Sequence, residues 1–573
     1  MEEGFLVEFN HFGFKYNAQA EPTLYDISLK IRKGEKILIA GPSGCGKSTI
    51  GSCLNGLIPF SFKGETTGSL KIKGKETGDM SIFELSKIVG TVLQDSDAQF
   101  VGMTAAEDIA FALENDCIET PELHERTERV AKTVGVSERL THAPGELSGG
   151  QKQRVSIGGI MVDNVELYLF DEPLANLDPA TGKQAIELID EIKKETGAAV
   201  VIIEHRLEDV LWRDVDRIIL MQEGRIIADL DPDTLLSTDL LRQAGVREPL
   251  YVTALKYAGV GIRPEIMPHS INSLALAPEE TEKVREWFEH TPEAEQKKAE
   301  GPILSVRGLE FEYPNGVKAA DNISTEIGKG TLIAIAGRNG AGKSTFAKLI
   351  CGFETPQNGT ITLFGKAGES DLAKLSIKER ADHIGYVMQN PNQMISQTMI
   401  FDEVAMGLRS RKTSEEEIQA KVEKALKICG LYPFRNWPVS ALSFGQKKRV
   451  TIASILVLDP EVLILDEPTA GQDFRHYTEI MEFLRQLNAD GLTIIMITHD
   501  MHLMLEYATR SIVFCDGKIV GDDTGANILT DPELVEKASL KETSLFRLAL
   551  MCGIETPRAF VQRFIDFDRA VRS

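Results

Sequence analysis

The sequence predicts an α/β fold that is built twice in one chain, and three repeated segments carry this prediction. A glycine-rich segment occurs as GPSGCGKS at residues 41–48 and as GRNGAGKS at residues 337–344. The segment LSGGQ at 147–151 recurs as LSFGQ at 442–446, and LFDEP at 169–173 recurs as ILDEP at 464–468. The offsets are 296, 295 and 295 positions (343 − 47, 443 − 148 and 466 − 171). Two copies of one unit therefore follow each other along the chain.

Short segments in each copy predict the order of strands and helices. Strand-like alternation at 5–9 and 303–306 is followed by aromatic segments at 14–16 and 311–313. Apolar runs at 37–40 and 332–336 predict buried parallel strands, and helices are expected from residues 47 and 343. Thr104 and Glu107 have the spacing of a capping box, which predicts a helix start.

The two copies end in similar helical extensions and are joined by a polar segment. Apolar segments at 250–255 and 545–550 predict these extensions. We therefore predict a first domain over residues 1–277 and a second over 302–573. The segment between them, 278–301, is acidic and poor in apolar residues, which predicts a solvated linker that is helical in part.

Length, charge and cysteine pattern exclude several classes of protein. At 573 residues the chain exceeds one ordinary core, which favours two domains. A formal charge of −23 argues against nucleic-acid binding, which needs a basic surface, although such acidity can also simply maintain solubility. The seven cysteines lack paired spacing, so we expect no disulfide partners and a reducing compartment. We find neither a signal-peptide pattern nor a run of about 18 apolar residues, and so expect no segment that spans a bilayer.

The glycine-rich segments have the composition and context of a phosphate-binding loop. Strand, glycine loop and helix in this order direct backbone N–H groups and a positive helix N-terminus at phosphate oxygens. Lysine can reach the β- and γ-phosphates of a nucleotide, and the next serine can bind Mg²⁺. The predicted nucleotide-binding residues are Gly41, Ser43, Gly44, Gly46, Lys47, Ser48 and Thr49 in the first copy, and Gly337, Asn339, Gly340, Gly342, Lys343, Ser344 and Thr345 in the second.

A buried strand in each copy is predicted to end in catalytic carboxylates. The apolar runs at 167–170 and 462–465 lead into Asp171 and Asp466, which a strand end would present to the Mg²⁺ shell. Glu172 and Glu467 follow, where each could polarise an attacking water. Such a strand can be purely structural, but its coupling to a glycine loop favours the catalytic interpretation.

Together with these features, the LSGGQ segment and the Lys152-Gln153-Arg154 that follows it make the chain resemble the ATP-binding cassette (ABC) ATPases over both copies. The resemblance implies two P-loop NTPase cassettes, each with a parallel core sheet, an antiparallel β subdomain and an α-helical signature subdomain. It also implies head-to-tail pairing, in which the signature of one cassette contacts ATP held by the other. One site would join Lys47 with Ser443 and Gly445, and the other would join Lys343 with Ser148, Gly149 and Gly150.

The resemblance assigns roles to further residues, one of each pair in each copy. These are Gln94 and Gln389, which would contact Mg²⁺ or water; His205 and His499, which would contact the γ-phosphate; Tyr16 and Tyr313, which would stack on adenine unless they are ordinary core tyrosines; and Asp178 and Asp473, which match the loop that senses the partner cassette. Phe444 departs from the family pattern because the first copy has Gly149 there. We therefore hypothesise that the two sites hydrolyse ATP at unequal rates.

The segments after Gln94 and Gln389 resemble the ATPase subunits of energy-coupling factor importers. They contain Gln99-Phe100-Val101 and Gln393-Met394-Ile395. In that group this surface accepts coupling helices of a membrane scaffold subunit, and a separate membrane protein binds the substrate; core packing is the alternative role for these apolar residues. The resemblance implies a peripheral ATPase on the cytoplasmic face of the cell membrane, with ATP and Mg²⁺, powering uptake of a vitamin, a precursor or a transition metal. The alternatives are a soluble twin-cassette ATPase acting on ribosomes or DNA, which the acidic charge disfavours, and the ATPase of an ABC exporter.

Overall fold

The computed structural model describes residues 4–94, 98–175, 177–293, 301–366 and 368–572. The chain divides into two compact units, one formed by Met1–Trp287 with Asp473–Arg475 and the other by Phe288–Gln472 with His476–Ser573. The boundary between Trp287 and Phe288 falls inside the segment predicted to be a linker. Most of the first unit is the first copy of the repeat, and most of the second unit is the second copy.

The helices and strands of the first copy, in chain order, are β1 (Val7–Tyr16), β2 (Leu24–Ile31), β3 (Lys36–Ala40), α1 (Lys47–Leu54), α2 (Leu57–Phe60), β4 (Gly64–Ile72), β5 (Lys75–Glu76), α3 (Ile82–Ser86), β6 (Val89–Val92), α4 (Ala105–Asn115), α5 (Thr120–Thr133), α6 (Gly149–Met161), β7 (Leu167–Asp171), α7 (Pro179–Thr196), β8 (Ala199–Ile203), α8 (Leu207–Val210), β9 (Arg217–Gln222), β10 (Arg225–Leu230), α9 (Pro232–Leu236), α10 (Leu240–Gln243), α11 (Leu250–Tyr257) and α12 (Pro278–His290).

The helices and strands of the second copy are β11 (Pro302–Glu312), β12 (Lys318–Gly328), β13 (Leu332–Ala336), α13 (Lys343–Cys351), β14 (Asn358–Gly365), β15 (Gly368–Asp371), α14 (Ile377–Arg380), β16 (Ile384–Val387), α15 (Ile400–Ser410), α16 (Glu415–Ile428), α17 (Phe444–Leu456), β17 (Val462–Asp466), α18 (Phe474–Ala489), β18 (Thr493–Ile497), α19 (Met501–Glu506), β19 (Arg510–Cys515), β20 (Lys518–Asp523), α20 (Gly525–Ile528), α21 (Pro532–Lys537), α22 (Ser544–Met551) and α23 (Pro557–Arg572).

Each copy has a core sheet whose strands are mostly parallel. The strand order is β10-β9-β3-β8-β7-β6 in the first copy and β16-β17-β18-β13-β19-β20 in the second. Strands β3 and β13 are buried along their whole length, because helices cover both faces of a parallel sheet. The runs at 37–40 and 332–336 therefore form the buried strands that the sequence predicts.

The prediction of a parallel sheet is wrong for one edge strand in each copy. Strands β10 and β20 pair antiparallel with β9 and β19. The cause is a two-residue hairpin turn, Glu223-Gly224 in the first copy and Asp516-Gly517 in the second, with positive φ at both residues of each turn. Such a turn reverses the chain at once, whereas a parallel partner needs a long crossover.

A second, antiparallel sheet is present in each copy, in the order β2-β1-β4-β5 and β12-β11-β14-β15. In each copy the alternating segment and the aromatic segment after it lie largely on one strand, β1 or β11. Helices α4–α6 and α15–α17 make up the helical part that contains the signature segments. The antiparallel β subdomain and the helical signature subdomain are thus both confirmed.

The helices outside the core sheets largely follow the prediction. Thr104 and Glu107 form a complete capping box at the start of α4. The extensions predicted at 250–255 and 545–550 form α11 and α22. The predicted linker begins as α12, whose Val284 is fully buried, so this part is not wholly solvated; residues 294–300 lie outside the described residues. Among the described residues, every helix is too short or too polar to cross a bilayer.

Candidate functional site

The glycine loop of each copy lies at the carboxyl end of a central strand of the core sheet. The loop at 41–48 connects β3 to α1, and the loop at 337–344 connects β13 to α13. Strands β8 and β7 follow β3 in the sheet, as β18 and β17 follow β13. The histidine after β8 or β18 and the acidic pair at the end of β7 or β17 therefore meet the glycine loop at one edge, where ligands bind in such sheets.

The backbone of each loop requires glycine. Gly337 has φ 141°, and a Cβ there would lie 2.2 Å from the Phe514 carbonyl oxygen. Gly342 caps α13 with φ 103°, and its Cβ would lie 2.2 Å from the Ala319 carbonyl oxygen. A side chain at either position would displace the loop from the backbone behind it, which explains the glycines in the repeated segment.

The loop lysine is buried and lies over the loop in both copies. Lys47 Nζ donates to the carbonyl oxygens of Gly41 and Pro42 at 2.8 and 2.9 Å. Lys343 Nζ makes the same contacts with Gly337 and Arg338 at 2.7 and 2.9 Å. The ammonium is thus fixed above the backbone N–H groups that would bind phosphate, where it can supply positive charge.

A hydroxyl and a carboxylate with the chemistry of a Mg²⁺ site meet beside each loop. Ser48 Oγ donates to Asp171 Oδ1 at 3.4 Å, and Ser344 hydrogen-bonds with Asp466. Burial raises the pKa of both aspartates, so a nearby cation would favour their charged form. Within the described residues no three His, Cys, Asp or Glu side chains cluster as a metal site. A single carboxylate and a hydroxyl suit Mg²⁺, which keeps waters and shares nucleotide phosphate oxygens.

Glu172 and Glu467 adopt a left-handed backbone conformation immediately after the strand. Their φ angles are 49° and 46°, which is unusual for a residue with a side chain. Such strain is concentrated at functional positions, where the surrounding structure maintains it. Glu172 N donates to the Ile203 carbonyl oxygen and Glu467 N to that of Ile497, so each glutamate is tied to the adjacent strand.

The two glutamates have different hydrogen-bond partners. Glu172 accepts a bond from Gln94 Nε2 at 2.5 Å. Glu467 accepts bonds from His499 Nδ1 at 2.7 Å, from His499 N at 3.1 Å and from Thr498 Oγ1 at 3.4 Å. In the second copy, the histidine after β18 is therefore hydrogen-bonded to the glutamate after β17.

In the first copy a buried glutamate occupies the position of Thr498. Glu204 accepts bonds from the N–H groups of His205, Arg206 and Leu174 at 2.8, 3.2 and 3.3 Å, and His205 Nδ1 lies 3.2 Å from its carboxylate. Burial, together with the nearby carboxylates of Glu204 and Asp171, raises the pKa of Glu172 to about 7. Burial also lowers the pKa of His205. Glu204 is not among the residues predicted from the sequence; its position before His205, where the second copy has Thr498, was the available signal.

The signature serines begin long helices. Ser148 Oγ accepts a bond from Gln151 N at the start of α6, and the Gln151 side chain accepts one from Ser148 N. Ser443 and Gln446 form the same capping box at the start of α17. Both helices have 13 residues, so each offers a positive N-terminus. Gly149 and Phe444 are the first residues of these helices, and the Phe444 side chain is 42% exposed.

The two predicted adenine-stacking tyrosines lie beside the glycine loops and are half-buried. The Tyr16 hydroxyl lies 3.3 Å from Thr49 Oγ1, and the Tyr313 hydroxyl lies 3.1 Å from Thr345 Oγ1. Each ring also packs edge-on against the phenylalanine two residues before it. This position suits adenine stacking, which stays a prediction.

The two predicted sensing aspartates are buried. Asp178 caps α7 and accepts bonds from Thr181 N and Thr181 Oγ1, both at 3.0 Å. Asp473, which belongs to the first compact unit, accepts a bond from Ser43 N at 2.5 Å. The first glycine loop thus has a carboxylate partner at Ser43.

The apolar residues after Gln94 differ in exposure. Phe100 is partly buried against the core, as the packing alternative predicts. Val101, Met103 and Phe111 are 64, 81 and 41% exposed. Met394 and Ile395 of the second copy are half-buried. The surface after Gln94 is therefore markedly apolar. Val101 is one of the residues that the sequence indicated for this surface, whereas Met103 and Phe111 are not.

Comparison with protein families identifies matches over both copies. The model described as ABC transporter matches residues 24–175 and 320–470. The model described as ATP-binding cassette cobalt transporter matches residues 238–311, and an AAA-domain model matches residues 435–506.

Curated relatives match almost the whole chain. A protein of Clostridium perfringens (strain 13 / Type A) named "Putative ABC transporter ATP-binding protein" is 56% identical over 100% of both chains. Proteins with the same description are 55% identical in Enterococcus faecalis, over 99% of each chain, and 51% identical in Vibrio parahaemolyticus, over 99% of this chain and 97% of the relative.

Two solved structures are similar to part of the chain. One is cbiO1 from Clostridium perfringens, described as part of the ABC transporter complex cbiONQ; it is 34% identical and covers 44% of this chain and 100% of its own, with a TM-score of 0.39. The other is an ATP-binding cassette of an ABC transporter in its ADP conformation, 27% identical, covering 41% of this chain and 98% of its own, with a TM-score of 0.37.

Proposed function

The chain belongs to the ATP-binding proteins of ABC transporters, which are ATPases, and we propose that it powers an importer of the energy-coupling factor type. The observation that carries this proposal is the match of residues 238–311 to the cobalt-transporter ATPase model. This segment includes α11 and α12, which lie outside the ATP-binding core. The cargo would be a vitamin, a precursor or a transition metal, and a separate membrane protein would bind it.

The exposed apolar surface after Gln94 supports docking to a membrane scaffold subunit. Val101 and Met103 lie between the Gln94 loop and α4, and Phe111 lies on α4 itself. Several exposed apolar side chains within a short stretch of chain favour a binding surface. A coupling helix of the scaffold bound at this surface would contact the loop that carries Gln94. This contact would hold the chain at the cytoplasmic face of the membrane.

The site geometry supports one set of catalytic roles in each copy. Lys47 and Lys343 would neutralise the β- and γ-phosphates of ATP, and the glycine loops would bind the phosphate oxygens with their N–H groups. Ser48 with Asp171, and Ser344 with Asp466, would hold Mg²⁺, with Gln94 and Gln389 nearby. Bound Mg²⁺ would supply charge neutralisation on the phosphates.

The hydrolytic step requires a group that orients water and a group that contacts the transferred phosphate. Glu172 and Glu467 would accept a hydrogen bond from the attacking water, and His205 and His499 would donate to the γ-phosphate. The short contact of Gln94 with Glu172 supports a direct link between the docking loop and hydrolysis in the first copy.

The signature serines would complete two composite ATP sites, each joining one glycine loop with the signature of the other copy. The capped N-termini of α6 and α17 support this role, because a helix N-terminus favours a phosphate anion. The bond from Ser43 N to Asp473 supports a sensing role for that aspartate. ATP bound in this way would favour a closed state of the cassettes, and hydrolysis would release it.

Affinity purification from gently solubilised membranes tests this proposal. We expect a polytopic scaffold and a substrate-binding membrane protein to co-purify with the chain, and the eluate to hydrolyse ATP. Recovery of ribosomes or nucleic acid, with the chain absent from membranes, would contradict the proposal and favour the soluble twin-cassette alternative. Recovery of a membrane protein that accumulates its substrate inside inverted vesicles would favour an exporter.

Matched surface variants locate the docking site. Val101→Asp and Met103→Asp should abolish recovery of the scaffold while ATP binding is retained, because they introduce charge into an apolar contact. Ile428→Asp, at the exposed last residue of α16 in the second copy, is the control with a similar change outside this surface and should retain the scaffold. Equal loss with all three variants would contradict docking at this surface.

A further inference from the structure

The loops that follow Gln94 and Gln389 are supported by different side chains. In the first copy Gln99 supports its own loop: its Oε1 accepts a bond from Leu93 N at 3.0 Å, and its Nε2 donates to the Thr91 carbonyl oxygen at 3.0 Å. The residue in the same structural position of the second copy is Met394, at an offset of 295 (394 − 99), and not Gln393, which the sequence pattern sets beside Gln99. Its sulfur lies 3.2 Å from Met388 N, and a thioether is a weak acceptor that cannot donate. The second loop therefore lacks the internal bridge that Gln99 provides.

A lysine from the signature helix supports the second loop instead. Lys448, on α17, donates from Nζ to the carbonyl oxygens of Met388 and Gln389, both at 2.8 Å. The adjacent Lys447 Nζ lies 3.3 Å from Asn392 Oδ1 of the same loop. Two consecutive residues of the signature helix thus contact the Gln389 loop.

The corresponding residue of the first copy has a different partner. Gln153 stands at the position of Lys448, again at an offset of 295 (448 − 153). Its Nε2 donates to the Pro173 carbonyl oxygen at 2.5 Å, directly after Glu172. This position therefore links the signature helix to the acidic loop in one copy and to the glutamine loop in the other.

Lys448 is an ion in the protein interior, and its surroundings explain how it is tolerated. Its side chain is 1% exposed, and burial lowers its pKa to about 8 although Asp466 and Glu467 attract its positive charge. Hydrogen bonds from a charged donor to two carbonyl oxygens are stronger than neutral ones. Because the first copy folds with glutamine at this position, a cation is not required there for the fold.

We propose that Lys448 is a positioning residue that couples the Gln389 loop to the signature helix of the second copy, so that the loop and the helix move together. The first copy supports its loop internally through Gln99. The inference rests on the proposed role of Gln389 at Mg²⁺ or water, because a held loop matters to hydrolysis only through that side chain. Lys448, with Lys447 beside it, would carry movement of the signature helix to the glutamine loop of the second copy.

Amide hydrogen exchange of the full-length, nucleotide-free chain tests the coupling directly. In Lys448→Gln, peptides that cover residues 386–394 should exchange about tenfold faster or more, because a charged hydrogen-bond pair no longer holds the loop. Peptides that cover residues 91–103 serve as the internal reference and should not change. Unchanged exchange at 386–394 would overturn the proposal.

A second variant separates positioning from a general effect on folding. Met394→Gln places the residue of the first copy in the second loop, where it can bridge the backbone as Gln99 does. In the Lys448→Gln background it should return exchange at 386–394 towards the wild-type rate, and Lys448→Arg should retain most of the protection. Failure of Met394→Gln to restore protection would show that Lys448 supports the domain generally and would overturn a positioning role.

Steady-state kinetics supplies the functional readout. Lys448→Gln should lower kcat severalfold, raise the Mg²⁺ concentration for half-maximal turnover and leave the KM for ATP nearly unchanged. Gln153→Leu, the matched change in the first copy, should leave exchange at 386–394 unaltered. If membranes yield no scaffold but Lys448→Gln still releases the loop, the importer proposal fails and the coupling stands. If the scaffold is recovered and the loop is unaffected, the coupling fails alone.

Discussion

Removal of the charge on Glu172 should stabilise the nucleotide-free protein above neutral pH. Burial, with the nearby carboxylates of Glu204 and Asp171, raises the pKa of Glu172 from 4.5 to about 7. The folded state therefore binds this proton more tightly than the unfolded state does. Below pH 4.5 both states are protonated and the group contributes nothing; between pH 4.5 and 7 a penalty grows, and above pH 7 it is complete.

The size of the penalty follows from the pKa difference. At about 1.36 kcal/mol for each pKa unit, the rise corresponds to roughly 3 kcal/mol of lost folding free energy above pH 7. Glu172→Gln abolishes this ionisation and retains an oxygen that can accept the bond from Gln94. The melting temperature of the first unit should therefore rise by roughly 6 °C at pH 8, at about 2 °C or more for each kcal/mol. The rise should nearly vanish at pH 5.

Differential scanning calorimetry of the nucleotide-free full chain at pH 5, 6, 7 and 8 measures this effect. Glu467→Gln is the matched control in the second copy. Glu467 accepts bonds from His499 and Thr498, so removal of its charge weakens contacts and should not stabilise the protein. A fall in melting temperature with Glu172→Gln at pH 8, or an equal rise at pH 5, would refute the argument.

Three further predictions concern the glycine loops and a helix cap. Gly342→Ala should reduce the stoichiometry of fluorescent ATP binding from two towards one per chain, because the added Cβ meets a backbone carbonyl oxygen at 2.2 Å; retained stoichiometry would contradict this. Cys45 is 3% exposed and burial raises its pKa, so iodoacetamide should label it far more slowly than exposed Cys117, as mass spectrometry of peptides can measure. Thr104→Ala should lower the free energy of unfolding by about 1 kcal/mol in urea titration, because it removes the cap of α4, whereas Thr104→Ser should retain most of it.

Much of the fold and of the site could be predicted because local backbone requirements create recognisable segments. Gly342 adopts a left-handed conformation against a backbone carbonyl oxygen, so a loop of this shape requires glycine at this position. Thr104 and Glu107 satisfy the N-terminal amides of the helix that they begin, and this local rule predicted α4. The antiparallel edge strands were missed, although the Glu223-Gly224 turn that causes them is also a local signal.

By itself, the sequence determined the duplication, the strand–loop–helix order and the identity of the residues around each glycine loop. Only the tertiary structure decided which partners those residues have. Glu204 is next to His205 in the chain. Its carboxylate also accepts a bond from Leu174 N, and this contact depends on the pairing of separate strands. Lys448 reaches a loop that lies 59 residues earlier, whereas Gln153, in a closely similar segment, reaches a different loop. A repeated sequence predicts repeated helices and strands. The contacts of a buried polar side chain, however, depend on neighbours that are distant in the chain. A difference at one neighbour, such as Gln99 in the first copy and Met394 in the second, changes those contacts.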